Sequence, residues 1–229
     1  MARCGLCPGT PTLEIGPGGG QATADLLNRG SDPLIAVEPD PELAAYLASR
    51  FPQVDVRNVG FEEFETESAS MRLVACATAW HWVEQSVGLE KLARFLEPGG
   101  SCALWWTVYH DPAVTDDPLY QALEPILERV PLHGPNTIAT TANFAFDRAT
   151  RMADLHGPFA DVAVEEFHWS LELTPESACS LFATFSPILA RPQPEREAIL
   201  EEIAAVVRTQ FGGFAPRPCV TILYTGQRV

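Results

Sequence analysis

Two hydrophobic patterns alternate through the first half of the chain. Short apolar runs at Leu13–Ile15, Leu34–Glu38 and Leu73–Ala79 read as buried strands, and "VDVRNV" adds period-two alternation. Between them lie stretches with helical signals. Gln21–Asn28 is stopped by Gly30, and "DPELAAYLASRF" opens with Asp40 as N-cap and Pro41 at the first helical position. Val87–Leu96 reads as a helix ended by Pro98-Gly99-Gly100, and "SCALWWTVY" follows as a fifth strand. Strand and helix in alternation predict an α/β fold with a mainly parallel, doubly wound sheet. Ligand sites in such a sheet lie beyond the carboxyl ends of the strands.

The second half changes character. From Asp111 to about Phe159 the chain is rich in Pro, Thr and Asn around two weak helical patterns, which suggests an insertion or lid at about 111–160. "VAVEEFHWSLEL" then reads as a strand, and Thr174-Pro175 starts a helix. In "EREAILEEIAAVVRTQF" the residues Ile199, Leu200, Ile203, Val206, Val207 and Phe211 form a core-facing stripe, closed by Gly212-Gly213. "CVTILYTGQ" supplies a last strand. The 229 residues suit a single domain, 1–229, that carries the insertion.

Charge narrows the partners. Fifteen Lys plus Arg against 30 Asp plus Glu give a net charge of −15, the wrong sign for gripping phosphate backbones, so no nucleic-acid partner is expected. No apolar run reaches the roughly 18 residues of a membrane helix, and the amino terminus lacks a signal pattern, so the expectation is a cytoplasmic protein with no membrane partner. The six cysteines are scattered, and four stand in or beside apolar runs, where cysteine acts as a small hydrophobe. Cys4-Gly-Leu-Cys7 has a CxxC spacing without a second pair, and His133, His156 and His168 show no ligand spacing, so no metal is expected.

Chemistry concentrates at "LEIGPGGGQATADLL". After a strand, Gly16, Gly18 and Gly20 permit a tight turn and leave the next helix's N–H groups open to a polar ligand. Glu38 ends the second strand, where a carboxylate can accept two hydrogen bonds from a ribose diol. A GxGxxG dinucleotide fingerprint starting at Gly16 needs glycine where Gln21 stands, which weighs against NAD. Glu14 would be an awkward neighbour for a pyrophosphate but a welcome one for a cationic sulfonium ligand with an ammonium group.

At this point the sequence resembles the class I S-adenosylmethionine-dependent methyltransferases. "LEIGPGGGQAT", "AVEPDPEL", "GFEEF", "LVACATAWHWVE" and "FLEPGGSCALWW" look like successive motifs of that family, in order and covering most of the chain. The resemblance implies a seven-stranded, Rossmann-like sheet whose last strand is antiparallel. It implies S-adenosylmethionine as cofactor and S-adenosylhomocysteine as product. It brings Gly16, Pro17, Gly18 and Gly20 to the cofactor's methionine end, with Glu14 orienting the amino group, Glu38 on the ribose and Pro39 flanking the adenine. Phe61 stands where many relatives carry an acidic adenine ligand, so Glu62 or a backbone carbonyl takes that part, and Ala77, Thr78 and Ala79 complete the cofactor set. Relatives usually carry helices before the first motif, whereas here only Met1–Thr12 precede it. The expectation is an exposed cleft and apolar surface that a second subunit covers as a homodimer.

Methyl transfer from an activated sulfonium is chiefly a matter of positioning. Where a base is needed, His81 stands just past the fourth strand; its competing role is structural, as the start of the next helix. Trp80, Trp82, Trp105 and Trp106 crowd the ends of the fourth and fifth strands, where aromatic faces suit a sulfonium, although alternation puts at least two in the core. Tyr109 and His110 stand as pocket or plain loop residues. The expected activity is methyl transfer to a small-molecule acceptor with an O, N or C nucleophile. The alternatives are a non-catalytic binding protein on the same fold and a nicotinamide-dependent oxidoreductase.

Overall fold

A computed structural model describes residues 2–130 and 138–229; His133 lies outside them. The first half alternates as expected. β1 (Thr10–Ile15), β2 (Ser31–Val37), β3 (Asp55–Arg57), β4 (Met71–Ala77) and β5 (Leu96–Val108) are the strands. α1 (Gln21–Asn28), α2 (Pro41–Arg50) and α3 (Gln85–Phe95) are the helices among them. Asp40 caps α2 by accepting from the N–H groups of Glu42 and Leu43.

Two boundaries differ from the sequence expectation. α3 begins at Gln85, capped by the Glu84 side chain, and ends at Phe95 because Leu96 is already extended. Pro98-Gly99-Gly100 therefore belongs to the opening of β5 and does not end the helix. The fourth strand closes at Ala77: Thr78 adopts a φ of 56° and donates its N–H to the Trp105 carbonyl at 2.7 Å.

The remaining elements are α4 (Pro118–Leu127), α5 (Ile138–Phe146), α6 (Arg148–His156), β6 (Phe159–Leu173), α7 (Pro175–Ala183), α8 (Ser186–Leu189), α9 (Gln193–Gln210) and β7 (Ala215–Arg228). The seven strands form one sheet in the order β3-β2-β1-β4-β5-β7-β6. β1 to β5 are parallel neighbours, with Glu14 opposite Ala36 on one side and Ala75 on the other. β7 is antiparallel to β5, since Thr107 meets Thr221 while Gly99 meets Gln227, so partner numbers fall as β5 rises.

The chain forms two compact units. One comprises Met1–Trp106, Asp147–Glu165 and Ile222–Val229; the other comprises Thr107–Phe146 and Glu166–Thr221. The segment expected as an insertion thus contributes α4 and α5 to the second unit, while α6 goes with the first. In the first unit Leu26, Leu34, Ala36, Leu47, Leu73, Ala75 and Ala103 pack helices against the sheet. In the second, Leu119, Leu123 and Ile126 of α4 meet Phe182 of α7 and Ile203 and Val207 of α9. Fully burying each such leucine or phenylalanine contributes about 1.5–3 kcal/mol.

Candidate functional site

The glycine turn is built by close approach. Gly16 has a φ of 63°, and a Cβ there would stand 2.4 Å from the Ala79 Cβ. Only glycine lets the turn after β1 touch the turn after β4. Gly20, with a φ of 81°, opens α1, and a Cβ there would meet the Phe51 ring at 2.6 Å and Leu47 at 2.8 Å. Its role is to pack the turn onto α2, which the motif alone does not reveal.

Glu38, one residue past β2, is 5% exposed and held by backbone donors on both oxygens. Gly18 N–H donates to Oε2 at 3.0 Å and Asp40 N–H to Oε1 at 3.0 Å. Asn58 Nδ2 donates to the carbonyls of Glu38 and Pro39 at 2.9 and 3.0 Å, fixing the backbone that carries the acid. Each carboxylate oxygen keeps acceptor capacity for a further donor. Asn58 is a positioning residue with no sequence signal beyond its place after β3.

A cleft of about 810 Å3, counting its open mouth, runs past these residues. Of the expected cofactor set, Gly16, Glu38, Pro39, Phe61, Glu62 and Ala79 line it; Ile15, Val37, Gly60, Trp82 and Val83 are further walls. Trp82 is 65% exposed, whereas Trp80 and Trp106 are buried core and Trp105 packs against the first unit's core. Pro17, Gly18, Gly20, Ala77 and Thr78 are not among its walls. Phe61 packs its ring on Trp80 and Phe95 with centroids 5.9 and 6.2 Å away. The buried Lys91 ammonium takes the Glu62 carbonyl at 2.8 Å, and Glu62 Oε1 accepts from Glu84 N–H at 2.9 Å.

Glu14 is fully buried beside the turn and is not a cleft wall. Its Oε2 accepts from the Thr23 hydroxyl at 2.7 Å, while Oε1 has no hydrogen-bond partner among the described residues. Burial pushes its carboxyl up to about 7, with the Thr23 hydrogen bond opposing.

His81 lies on a single 3-10 turn, Trp80–Trp82, ahead of α3 rather than inside it. Trp106 Nε1 donates to His81 Nδ1 at 3.2 Å, and burial lowers the imidazole pKa. Indole N–H is donor only, so the neutral ring carries its proton on Nε2. Taking up a second proton at Nδ1 forfeits that hydrogen bond.

In the second unit the polar residues gather separately. His168 Nδ1 lies 2.6 Å from Asp111 Oδ2, and Asp111 Oδ1 accepts from Ala113 N–H. Asp117 caps α4 through Oδ1, while its Oδ2 stands 3.6 Å from Arg217 Nη1 and 3.7 Å from His110 Nδ1. No group of three His, Cys, Asp or Glu placed to hold a metal occurs among the described residues, and none of their helices is long and apolar enough to cross a membrane.

Comparison with known proteins bears on this geometry. Residues 13–104, from β1 through most of β5, match the methyltransferase domain family. An uncharacterised methyltransferase of Mycobacterium tuberculosis is 29% identical over 197 residues, 86% of this chain and 73% of the relative. A Schizosaccharomyces pombe protein described as methyltransferase-like is 28% identical over 200 residues, 86% and 72% of the two chains. Among solved structures, one from Anaeromyxobacter dehalogenans, assigned as a type II methyltransferase, superposes with a TM-score of 0.70 at 20% identity over 97% of this chain and 92% of that one. A methyltransferase assigned to an antibiotic biosynthesis pathway in Anabaena variabilis gives 0.64 at 18% identity, covering 97% and 94%. The solved structures bear on the fold alone, a Rossmann-like methyltransferase fold with this strand order; the match over residues 13–104 and the relatives make the chain similar to methyltransferases.

Proposed function

We propose that the chain transfers a methyl group from S-adenosylmethionine to a small-molecule acceptor. The observation that carries this reading is the buried Glu38 carboxylate, fixed by Gly18 and Asp40 N–H donors at the edge of the cleft. A rigid diol acceptor at the end of the second strand fits a ribose, and the cleft has the volume of a small-molecule site. Glu38 would hold the ribose, Pro39 and Val37 the adenine side, and Ile15 and Gly16 the methionine side. Bound there, the sulfonium supplies an already activated methyl group.

The chain's own part is then to orient and to exclude water. Trp82, Val83 and Phe61 give the cleft apolar walls. His81 remains the candidate for contact with the acceptor, but its Nδ1 is committed to Trp106. The net charge of −15 supports an acceptor other than nucleic acid.

Calorimetry with S-adenosylhomocysteine tests the cofactor reading. The unmodified chain should bind, and Glu38→Gln should weaken binding about tenfold or more, or about 1.4 kcal/mol. Equal affinity in the two chains, or tighter binding of NAD than of S-adenosylhomocysteine, would overturn it. Binding without methyl transfer to any of a broad panel of acceptors would instead favour a binding protein on this fold.

A further inference from the structure

The glycine turn is gripped from the side of α2 by an exposed arginine. Arg50, in the last turn of that helix, donates from Nη1 to the Gly19 carbonyl at 3.1 Å and to the Tyr46 hydroxyl at 3.2 Å. Its guanidinium lies 5.3 Å from the centre of the Phe51 ring and 6.0 Å from that of Tyr46. Phe51 is also the ring that leaves no room for a Cβ at Gly20. One aromatic side chain therefore supports both the turn and the cation that grips it. Tyr46, Arg50 and Phe51 are not walls of the cleft.

The turn has little of its own to hold it. Gly18, Gly19 and Gly20 follow one another, with φ of 53° at Gly18 and 81° at Gly20, and glycine loses more backbone freedom on ordering than any other residue. Gly20 N–H closes the turn onto the Pro17 carbonyl at 2.9 Å. Two bonds then run toward the second strand's end, from Gly16 N–H to the Val37 carbonyl at 2.9 Å and from Gly18 N–H to Glu38 Oε2 at 3.0 Å. Among the described residues, Arg50 is the side chain that donates to a carbonyl of this turn, and no other does. A guanidinium suits the place, because one nitrogen can serve Gly19 and Tyr46 together while the planar group rests on Phe51.

We infer that Arg50 is a positioning residue for the Glu38 site: by anchoring the Gly19 carbonyl it fixes the adjacent Gly18 N–H on the Glu38 carboxylate and so sets the affinity for the cofactor. The inference rests on the proposed reading of Glu38 as the group that holds a ribose. Anchored at Gly18 by Glu38 and at Gly19 by Arg50, the two glycines have their backbone torsions set before a ligand arrives, and the ordering cost does not fall on binding. A cation in the last turn of α2 also complements the helix dipole. That effect stabilises the helix and is independent of Glu38, so the two roles separate by experiment.

The test is a double-mutant cycle read by calorimetry with S-adenosylhomocysteine, on the full chain and well below its melting temperature. Arg50→Met should weaken binding about five- to tenfold in the unmodified chain and less than about twofold once Glu38→Gln is present, because the grip acts through that carboxylate. Arg72→Met, which removes a cation paired with Glu97 at the start of β4, should change affinity by less than about twofold. A second readout needs no ligand: amide hydrogen exchange across residues 16–20 should quicken in Arg50→Met, with circular dichroism unchanged. Arg50→Met binding as tightly as the unmodified chain, an equal loss in both backgrounds, or unaltered exchange across the turn would each overturn the proposal. No binding by the unmodified chain would overturn the cofactor reading beneath it, and the proposal with it.

Discussion

The cleft of the first unit and the ionic cluster of the second treat buried charge in opposite ways. Glu38 has both oxygens met by backbone N–H groups that the fold fixes in place. Asp117 Oδ2 stands 3.6 Å from Arg217 Nη1 and 3.7 Å from His110 Nδ1, and Arg217 Nε and Nη1 have no hydrogen-bond partner among the described residues. The guanidinium sits among the Tyr120 and Phe182 rings at 6.0 and 5.9 Å, and burial lowers its pKa against the pull of Asp117. An acceptor held by backbone donors is preorganised and can meet a ligand without rearranging. A pair held by attraction across a gap depends on both partners being present.

Breaking the second arrangement should have the largest effect. Arg217→Met leaves Asp117 buried without its counter-charge and should cost about 3–5 kcal/mol in urea unfolding, while adding Asp117→Leu should recover part of the loss. A single-variant cost below about 1 kcal/mol would show that Coulomb attraction does not hold the cluster.

Glu14 offers the next effect, read through pH. Its folded pKa of about 7 lies above the ordinary 4.5, so the folded chain keeps a proton that the unfolded chain releases. Its stabilising contribution is complete below pH 4.5 and is lost as pH rises to about 7, after which it is level. The loss amounts to roughly 3 kcal/mol at 1.36 kcal/mol per pKa unit. Glu14→Gln should flatten this slope in unfolding curves taken across that window; an unchanged slope would assign it to other groups.

Gly16→Ala sharpens the first arrangement. The added methyl meets the Ala79 Cβ in a left-handed backbone, and unfolding should register a loss of about 2 kcal/mol together with weaker S-adenosylhomocysteine binding. Smallest is Trp82→Ala: removing an exposed cleft wall should weaken that binding two- to fivefold, about 0.5–1 kcal/mol, with no change in melting temperature. A large change in melting would recast Trp82 as a structural residue.

Legibility in the sequence followed the range of the interaction. The turn after β1, the N-cap of α2 and the acid after β2 depend on residues a few positions apart, and all are evident in "LEIGPGGGQATADLL" and "VEPDPEL". The helix boundary at Phe95 and the 3-10 turn at His81 were not, because Leu96 is drawn into β5 by pairing with Met71, and the Trp106 indole that meets His81 comes from another strand. Glu14 was placed correctly on β1, but that its side chain turns to Thr23 on α1 depends on how the helix packs.

By itself the sequence determined the order of the strands, the helices of the first half, the glycine turn, the acid that ends the second strand and the resemblance to the methyltransferases. These are set by backbone conformation and by local hydrophobic period, which neighbouring residues decide. Only the tertiary structure decided that Gly20 serves packing while Gly16 lets two turns touch, that Glu38 is held by two backbone donors, and that Trp82 faces the cleft while Trp80 and Trp106 are core. Those outcomes depend on which distant segments come within a few ångströms of one another, and a chain records such meetings only once it has folded.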